Sequence, residues 1–429
     1  MWLLLLLCFF FPFLANSDEL PKGKVPYIEN KVKIDGVLEE DCWKNSLKIS
    51  DFIITWGAKK DLLGKKPKNQ TVCYLFYDKD YFYVGVECYD DNIEGLMTEK
   101  MEERDGGWGD DCIEMFIDPG LTRKRFFQYI INPAGIIFDQ KCEDAKQMKE
   151  WDSGIEYAVK KYKDRWVVET KIPLAELELK KDTGEIWGFN ITRFEPNNWI
   201  VQSWAPVFGG NSQPDKFGVL EGISLDWNRY TLELNFTSWG NLSIGDDYIE
   251  FSIKNLSENK MDLTGETFSD GKLSSRTNFV IKPGETKNLS LGYSIEERDG
   301  KLSLFIKNQK GEVCYIKTKY FKIPDRFIDL KEFLPIYYLS ENSIPLNLYL
   351  NIGRLSLEKC EIIFDITDQN NKSLFIKKVS GIKDRNFKVP LFVKDIPAGK
   401  FNLKMILKIN GKEIDEKIVG FERIKGPFD

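Results

Sequence analysis

Apolar and polar residues alternate with a period of two through most of the chain, and helical periodicity is nearly absent. Thr71-Val72-Cys73-Tyr74-Leu75-Phe76-Tyr77 and Tyr81 to Cys88 flank the turn Asp78-Lys79-Asp80. Two aromatic and β-branched runs around so short a turn predict a β-hairpin. The same rhythm predicts strands over residues 112–118, 126–132, 136–140, 155–162, 166–172, 187–194 and 199–204. Turn residues divide them: Pro119-Gly120, Asn132-Pro133-Ala134-Gly135, Lys163-Asp164-Arg165 and Asp182-Thr183-Gly184. Only Leu174 to Leu179, after Pro173, reads as a short helical turn. Many short strands at this spacing indicate a sandwich or barrel.

The pattern changes character near residue 227. Tryptophan is frequent before it and nearly absent after it. Strands are predicted over residues 232–236, 248–253, 277–281, 302–306 and 313–321, up to a junction at Ile323-Pro324-Asp325. A second block from Phe333 carries strands over residues 346–352, 360–366, 374–379, 387–392, 401–409 and 413–419. Each block has the size of one immunoglobulin-like sandwich. The organisation expected is therefore a signal peptide over 1–17, a large β-sandwich over 18–227, and two smaller immunoglobulin-like sandwiches over 228–325 and 326–429. The fold class expected is all-β.

The first residues are one apolar run, Trp2 to Leu14, ending at Ala15-Asn16-Ser17 before the charged pair Asp18-Glu19. That small-x-small ending predicts a secretory signal peptide and a secreted or cell-surface protein. The run is short for a membrane span, and no later segment is long and apolar enough for one. It lacks the usual Lys or Arg at its start, which leaves an uncleaved anchor as the alternative.

Composition then narrows the chemistry. The formal charge of -6 disfavours nucleic acid and anionic membrane surfaces, both of which ask for a basic face. The chain has no histidine, which excludes His-activated nucleophiles and His-ligated zinc or haem. Of eight cysteines, the one at Cys8 lies in the leader. The seven that remain form no CxxC pair, and their odd number argues against a dense disulfide framework. Cys73, Cys88 and Cys112 lie in strand patterns, where cysteine packs as a small hydrophobe.

An ordered series of signatures runs through the large domain. It begins with Ile34-Asp35-Gly36 and Trp43, followed by the 71–88 hairpin. Then come Trp108-Gly109-Asp110-Asp111-Cys112-Ile113-Glu114-Met115-Phe116-Ile117-Asp118 and Trp166-Val167-Val168-Glu169 with Ile172-Pro173. Gly188-Phe189-Asn190-Ile191, Ser203-Trp204 and Phe217-Gly218-Val219-Leu220 close it. In this order they resemble the family 9 carbohydrate-binding modules and their DOMON-like relatives. The resemblance implies a DOMON-like antiparallel β-sandwich that binds an oligo- or polysaccharide, with the sugar held between two tryptophans and fringed by polar side chains. A pyranose ring has an apolar face that stacks on an indole, and hydroxyls that need directional partners.

Carried over residue by residue, the resemblance gives Trp108 as the first slot tryptophan and Glu114 as a hydroxyl partner. Alternation along the strand puts Glu114, Phe116 and Asp118 on one face and Ile113, Met115 and Ile117 in the core, so Glu114 is expected on the open face. The family's arginine falls at Gln128 and its glutamine at Thr192, with Arg193 adjacent. The second slot tryptophan is missing, and Asn211 stands nearest its position. Trp56, Trp199 or Trp151 are candidates to replace it from another loop. Trp43, Trp166, Trp187 and Trp204 are read as core.

The paired acids Asp90-Asp91 and Asp110-Asp111 are candidates for a structural calcium site, as hard cations ask for several oxygen ligands. Asp105, Asp110, Asp111 and Glu114 are the carboxylates a glycosidase would have to use. A haem site on Met97, Met101 or Met115 is disfavoured by the core parity of Met115. The function expected is a secreted, non-catalytic carbohydrate-binding protein accessory to polysaccharide degradation, with a glycoside hydrolase as a candidate partner. The alternatives are a structural or adhesive surface protein that has lost its sugar slot, and a carboxylate-based glycoside hydrolase.

Overall fold

The computed structural model describes residues 19–29, 31–57, 59–104, 106 and 109–427. The expected leader over 1–17 lies outside the described residues. Two compact units form, one of Met1–Trp151 and Ile155–Asp226, the other of Asp152–Gly154 and Trp227–Asp429. The architecture is all-β.

Among the described residues the first unit has fourteen strands in two facing sheets. They are β1 (Lys22–Lys24), β2 (Leu47–Ile49), β3 (Ile53–Gly57), β4 (Thr71–Tyr77), β5 (Tyr81–Tyr89), β6 (Cys112–Asp118) and β7 (Arg125–Ile131). After them come β8 (Ile137–Glu143), β9 (Lys146–Met148), β10 (Glu156–Lys161), β11 (Arg165–Pro173), β12 (Trp187–Glu195), β13 (Ile200–Ser203) and β14 (Gly218–Glu221). One sheet has the order β10-β11-β5-β4-β2. The other runs β1-β14-β12-β6-β7-β8-β9, with β13 and β3 joining along the C-terminal half of β12.

Between the sheets lie the residues that alternation assigned to the core. Ile113, Met115 and Ile117 are fully buried, and Phe82 packs on Trp187 and Phe189 at centroid distances of 5.9 and 6.4 Å. Each such side chain contributes roughly 1.5–3 kcal/mol by leaving water. Trp166 and Trp204 are buried too. Trp204 lies so close to Gly218 that a Cβ there would come within 2.5 Å of its ring, so only glycine fits that position.

The outer face of the five-stranded sheet is covered by the segment before β2. The short helix Asp41–Lys44 lays Cys42 and Trp43 against Phe76 and Tyr83. Glu169 on β11 fastens this cover. Its carboxylate accepts the backbone N–H of Asp35 and of Gly36, each at 2.8 Å, and Trp43 Nε1–H at 3.1 Å. Gly36 takes φ +78°, with the side chain of Lys160 packed against the place a Cβ would occupy. The Ile34-Asp35-Gly36…Trp43 and Trp166…Glu169 signatures are thus two halves of one structural joint.

The second unit holds two sandwiches. In the first, a sheet of Leu232–Ser238, Gly245–Asn255 and Thr286–Ile295 faces a sheet ordered Lys272–Ile281, Met261–Ser269, Asp299–Asn308 and Val313–Lys322. In the second, Ile328–Lys331, Ser343–Leu350 and Asn386–Phe392 face a sheet ordered Ile336–Tyr338, Lys412–Ile424, Gly399–Ile409, Cys360–Thr367 and Ser373–Ser380. The three-stranded sheet holds the first, second and fifth strands of the first sandwich and the first, third and sixth of the second, where Ile336–Tyr338 is an added strand of the opposite sheet; this is the immunoglobulin-type arrangement.

A polar seam joins these two sandwiches. Asp247, fully buried, accepts from Arg354 Nε at 2.7 Å and lies 3.6 Å from Arg385. Arg385 also donates to Ser243 Oγ at 3.0 Å, and Lys359 to Asp246 at 2.7 Å. The guanidinium of Arg354 holds the Asp247 carboxyl below its usual range against the cost of burial.

All seven cysteines among the described residues are buried free thiols. None of the helices among the described residues is long and apolar enough to cross a membrane.

Candidate functional site

The outer face of the nine-stranded sheet carries the polar residues of interest. Glu114 on β6 pairs in register with Thr192 on β12, and Gln128 on β7 sits diagonally across. Gln128 Nε2 donates to Glu114 Oε2 at 3.1 Å, and Gln140 Nε2 donates to Gln128 Oε1 at 2.5 Å. The loop before β14 brings Asn211 over this row. Asn211 Nδ2 donates to Glu114 Oε1 at 3.1 Å and to Thr192 Oγ1 at 3.4 Å. Gln213 shapes the loop by donating to the carbonyls of Phe208 and Gly210, at 2.9 and 2.7 Å.

Four of the residues singled out from sequence therefore meet: Glu114, Gln128, Thr192 and Asn211. Glu114 is nevertheless only 1% exposed, not open as expected, because Asn211 and Gln128 cover its carboxylate. Burial raises its pKa to about 7, against the opposing pull of the Asn211 and Gln128 hydrogen bonds. Both amide hydrogens of Asn211 point at the row beneath, which leaves its carbonyl oxygen to accept from a ligand.

Arg193 does not join them. One residue along β12 from Thr192, it projects to the opposite side of the sheet. There it is fully buried, donating to the Tyr89 carbonyl at 2.6 Å and to Asp90 at 2.5 Å. Trp108, together with Asp105, lies outside the described residues.

A cleft of about 640 Å³ opens above Glu114 and Asn211. One wall is aromatic: Trp56 from β3 and Trp199 from the β12–β13 turn, with Phe194 and Val201 between and beneath. The two indoles are 40% and 50% exposed. Lys100, Gly109 and residues 209–213 form the other side. Trp151, the third candidate, is elsewhere: it is buried against Phe127 and Tyr129, at 5.1 and 6.0 Å. Phe194 and Val201 were not anticipated, although the parity of Phe194 with Thr192 on one strand places both on the cleft face. Lys100 had no sequence signal.

The aspartate pairs serve the scaffold. Asp110 accepts the backbone N–H of Lys100 and Met101 at 3.0 and 2.9 Å and the Asn132 side chain at 3.0 Å. Asp111 accepts Met97 N–H at 2.8 Å; burial raises its pKa to about 6. Together they fasten the 97–101 segment beside β6, where Met101 packs on Cys112, Ile130 and Phe138. Asp90 faces Arg193, and Asp91 pairs with Lys68. These oxygens are turned to N–H donors and do not fit a calcium ion. Among the described residues no group of three or more Cys, Asp or Glu side chains converges as a metal site.

A two-sheet sandwich with an aromatic-walled, amide-floored cleft on one outer face has the build of a ligand-binding module. Residues 34–221 match the family model described as carbohydrate family 9 binding domain-like. Among solved structures the chain is similar to a carbohydrate-binding module family 9 protein from Caldicellulosiruptor kristjanssonii in complex with cellotriose. The identity is 20%, the match covers 48% of this chain and 93% of that one, and the TM-score is 0.33. The complex with glucose matches at 20% identity over 48% and 95% of the two chains, TM-score 0.33. A candidate carbohydrate-binding protein from Bacteroides uniformis matches at 14% identity over 47% and 99%, TM-score 0.38. No curated protein matches the chain.

Proposed function

We propose that this protein is exported, binds carbohydrate in the Trp56–Trp199–Asn211 cleft without transforming it, and serves as an accessory to polysaccharide breakdown. The observation that carries the reading is the cleft itself. An indole wall suits the apolar face of a sugar ring, and the Asn211 carbonyl, held by Glu114 and Thr192, is placed for its hydroxyls. The family match over residues 34–221 and the relatives that hold cellotriose and glucose support the same ligand class. The apolar leader Trp2 to Leu14 supports export.

A binding role is favoured over hydrolysis by the carboxylates. Glycoside hydrolysis needs two carboxyl groups flanking the bond, and among the described residues lining the cleft Glu114 alone is a carboxylate. A glycoside hydrolase as partner would then supply the chemistry.

The test is binding of the mature chain to a panel of soluble and insoluble glycans, beside Asn211→Ala and Trp108→Ala. Binding by the parent that weakens about tenfold or more in Asn211→Ala locates the ligand in this cleft. A folded parent that binds nothing across the panel leaves the structural or adhesive reading, in which the slot has been lost. Release of shortened products from any glycan would overturn the non-catalytic assignment.

A further inference from the structure

The carbohydrate reading leaves open how a glycan would lie, and the two exposed indoles decide it. Trp56 and Trp199 have ring centroids 5.6 Å apart and planes inclined at 53°. Nothing the thickness of a sugar ring fits between rings so close. They form one wall, each also resting edge-on against Phe194, at 6.5 and 5.8 Å. On the opposite side, the position where a facing tryptophan would close a slot holds Asn211, and its amide is turned down into the sheet.

The backbone works to present both rings. Trp199 takes φ +50°, a conformation costly for a bulky residue, in the tight turn closed by Trp199 N–H to the Pro196 carbonyl. On β3 the register slips beside Trp56: Val201 pairs with Trp56 and Gln202 with Ile54, leaving Thr55 as the extra residue of a bulge. Bulges re-aim side chains, and this one turns Trp56 onto the cleft face. Two separate departures from regular backbone thus converge on one pair of half-exposed rings.

We propose that Trp56 and Trp199 are a side-on platform for two consecutive rings of an extended soluble glycan, which lies across the cleft. The proposal rests on the carbohydrate-binding reading above. The centroid spacing is close to that of neighbouring rings along an extended chain, so a chain bound side-on is held by internal rings rather than by an end. The inclination of the indoles suits a chain whose successive rings are turned relative to one another. It does not suit the flat face of a crystalline polymer, which asks for coplanar aromatics. Asn211 Oδ1 then accepts from a hydroxyl on the rim of one stacked ring.

The experiment is calorimetric titration of the full chain with β-1,4-linked glucose, xylose and mannose ladders of one to four residues. Each sugar is used free and as its borohydride-reduced alditol, and a pull-down on microcrystalline cellulose is run beside them. The platform requires affinity to rise about tenfold or more from one ring to two. The tetrasaccharide should keep its affinity within about twofold after end reduction, and crystalline cellulose should retain little protein. Trp56→Ala and Trp199→Ala should each weaken the tetrasaccharide about tenfold and flatten the length dependence. Near-ultraviolet circular dichroism establishes that both variants are folded. Equal affinity for one ring and four, loss of binding on end reduction, or unchanged binding in both variants would overturn the platform while the carbohydrate reading stands. A folded parent that binds no sugar in any form would remove both.

Discussion

Asn211 donates its side-chain amide to the buried carboxylate of Glu114 at 3.1 Å, across 97 residues of sequence. This bond ties a mobile type of element, a glycine-bearing loop, to the centre of a rigid sheet. It also fixes which end of the amide a ligand meets. While Glu114 is ionised it accepts from Asn211 Nδ2 and Gln128 Nε2, and the Asn211 carbonyl faces outward.

Protonation of Glu114 gives the carboxyl a hydrogen to donate, so the amide of Asn211 is no longer held one way. Glycan binding should therefore strengthen as pH rises through about 7 and level off above it. Affinity titrated from pH 5.5 to 8.5 should show a change of several-fold centred near 7. In Glu114→Gln the curve should be flat across that window. A parent curve as flat as the variant's would show that Glu114 does not govern the amide.

Asp111 makes stability, not binding, pH-dependent. Its folded pKa of about 6 lies above its ordinary value of 3.8, because burial disfavours the charge. The proton it holds stabilises the fold fully below about pH 3.8, and that contribution disappears as pH rises through about 6. Asp111→Asn keeps an acceptor for Met97 N–H and has nothing to ionise. Urea unfolding at pH 3.5 and pH 7 should show the variant gaining about 2–3 kcal/mol on the parent between the two.

Glu169→Ala would leave three donors without their acceptor: Asp35 N–H, Gly36 N–H and Trp43 Nε1–H. The expected cost is roughly 3 kcal/mol or more, as each buried donor loses its partner. Hydrogen exchange should quicken first over residues 34–43, the cover of the five-stranded sheet. Uniform loss of protection across the first unit would mean the joint is part of the global core instead.

Asp247→Ala removes the one carboxylate shared by Arg354 and Arg385. A buried guanidinium without its partner typically costs about 3–5 kcal/mol. Scanning calorimetry of the full chain should show the transition of the second unit lowered, with that of the first unit unmoved.

How much of this was legible beforehand follows from the range of the interactions. The strand over 112–118 is read to the residue, because alternation there is strong and both faces are buried. The helical turn after Pro173 appears as a single 3-10 turn, Leu174–Glu176. Strand β3, which carries Trp56, was not anticipated. Its pairing with β13 joins residues as far apart as Ile53 and Ser203, and its bulge breaks the alternation that would reveal it. Met261–Ser269 was not named as a strand for another reason: its Asp, Thr, Gly and Glu dilute the apolar pattern, yet it is a central strand of its sheet.

At the site, one-dimensional pattern gave the face and not the cover. Parity placed Glu114 and Thr192 together, but the loop that lays Asn211 over them is set by Gln213 and two glycines, whose geometry has no periodic trace. Arg193 was drawn in by adjacency, and a single step along a strand carries it through the sheet. Trp56, Trp199 and Trp151 were equal candidates in sequence. Burial separates them, since Trp151 has the ring partners of a core residue.

The seam of Asp247, Arg354 and Arg385 has a consequence for descent. A recombination event between the two C-terminal sandwiches, near residue 325, would hand each daughter half of a charge network, leaving Asp247 in one and Arg354 and Arg385 in the other without their partners. A break near residue 226 leaves that network whole, with Asp152–Gly154 of the second unit on its other side. It is the pair of sandwiches, and not either one, that keeps its charges partnered when the chain is cut.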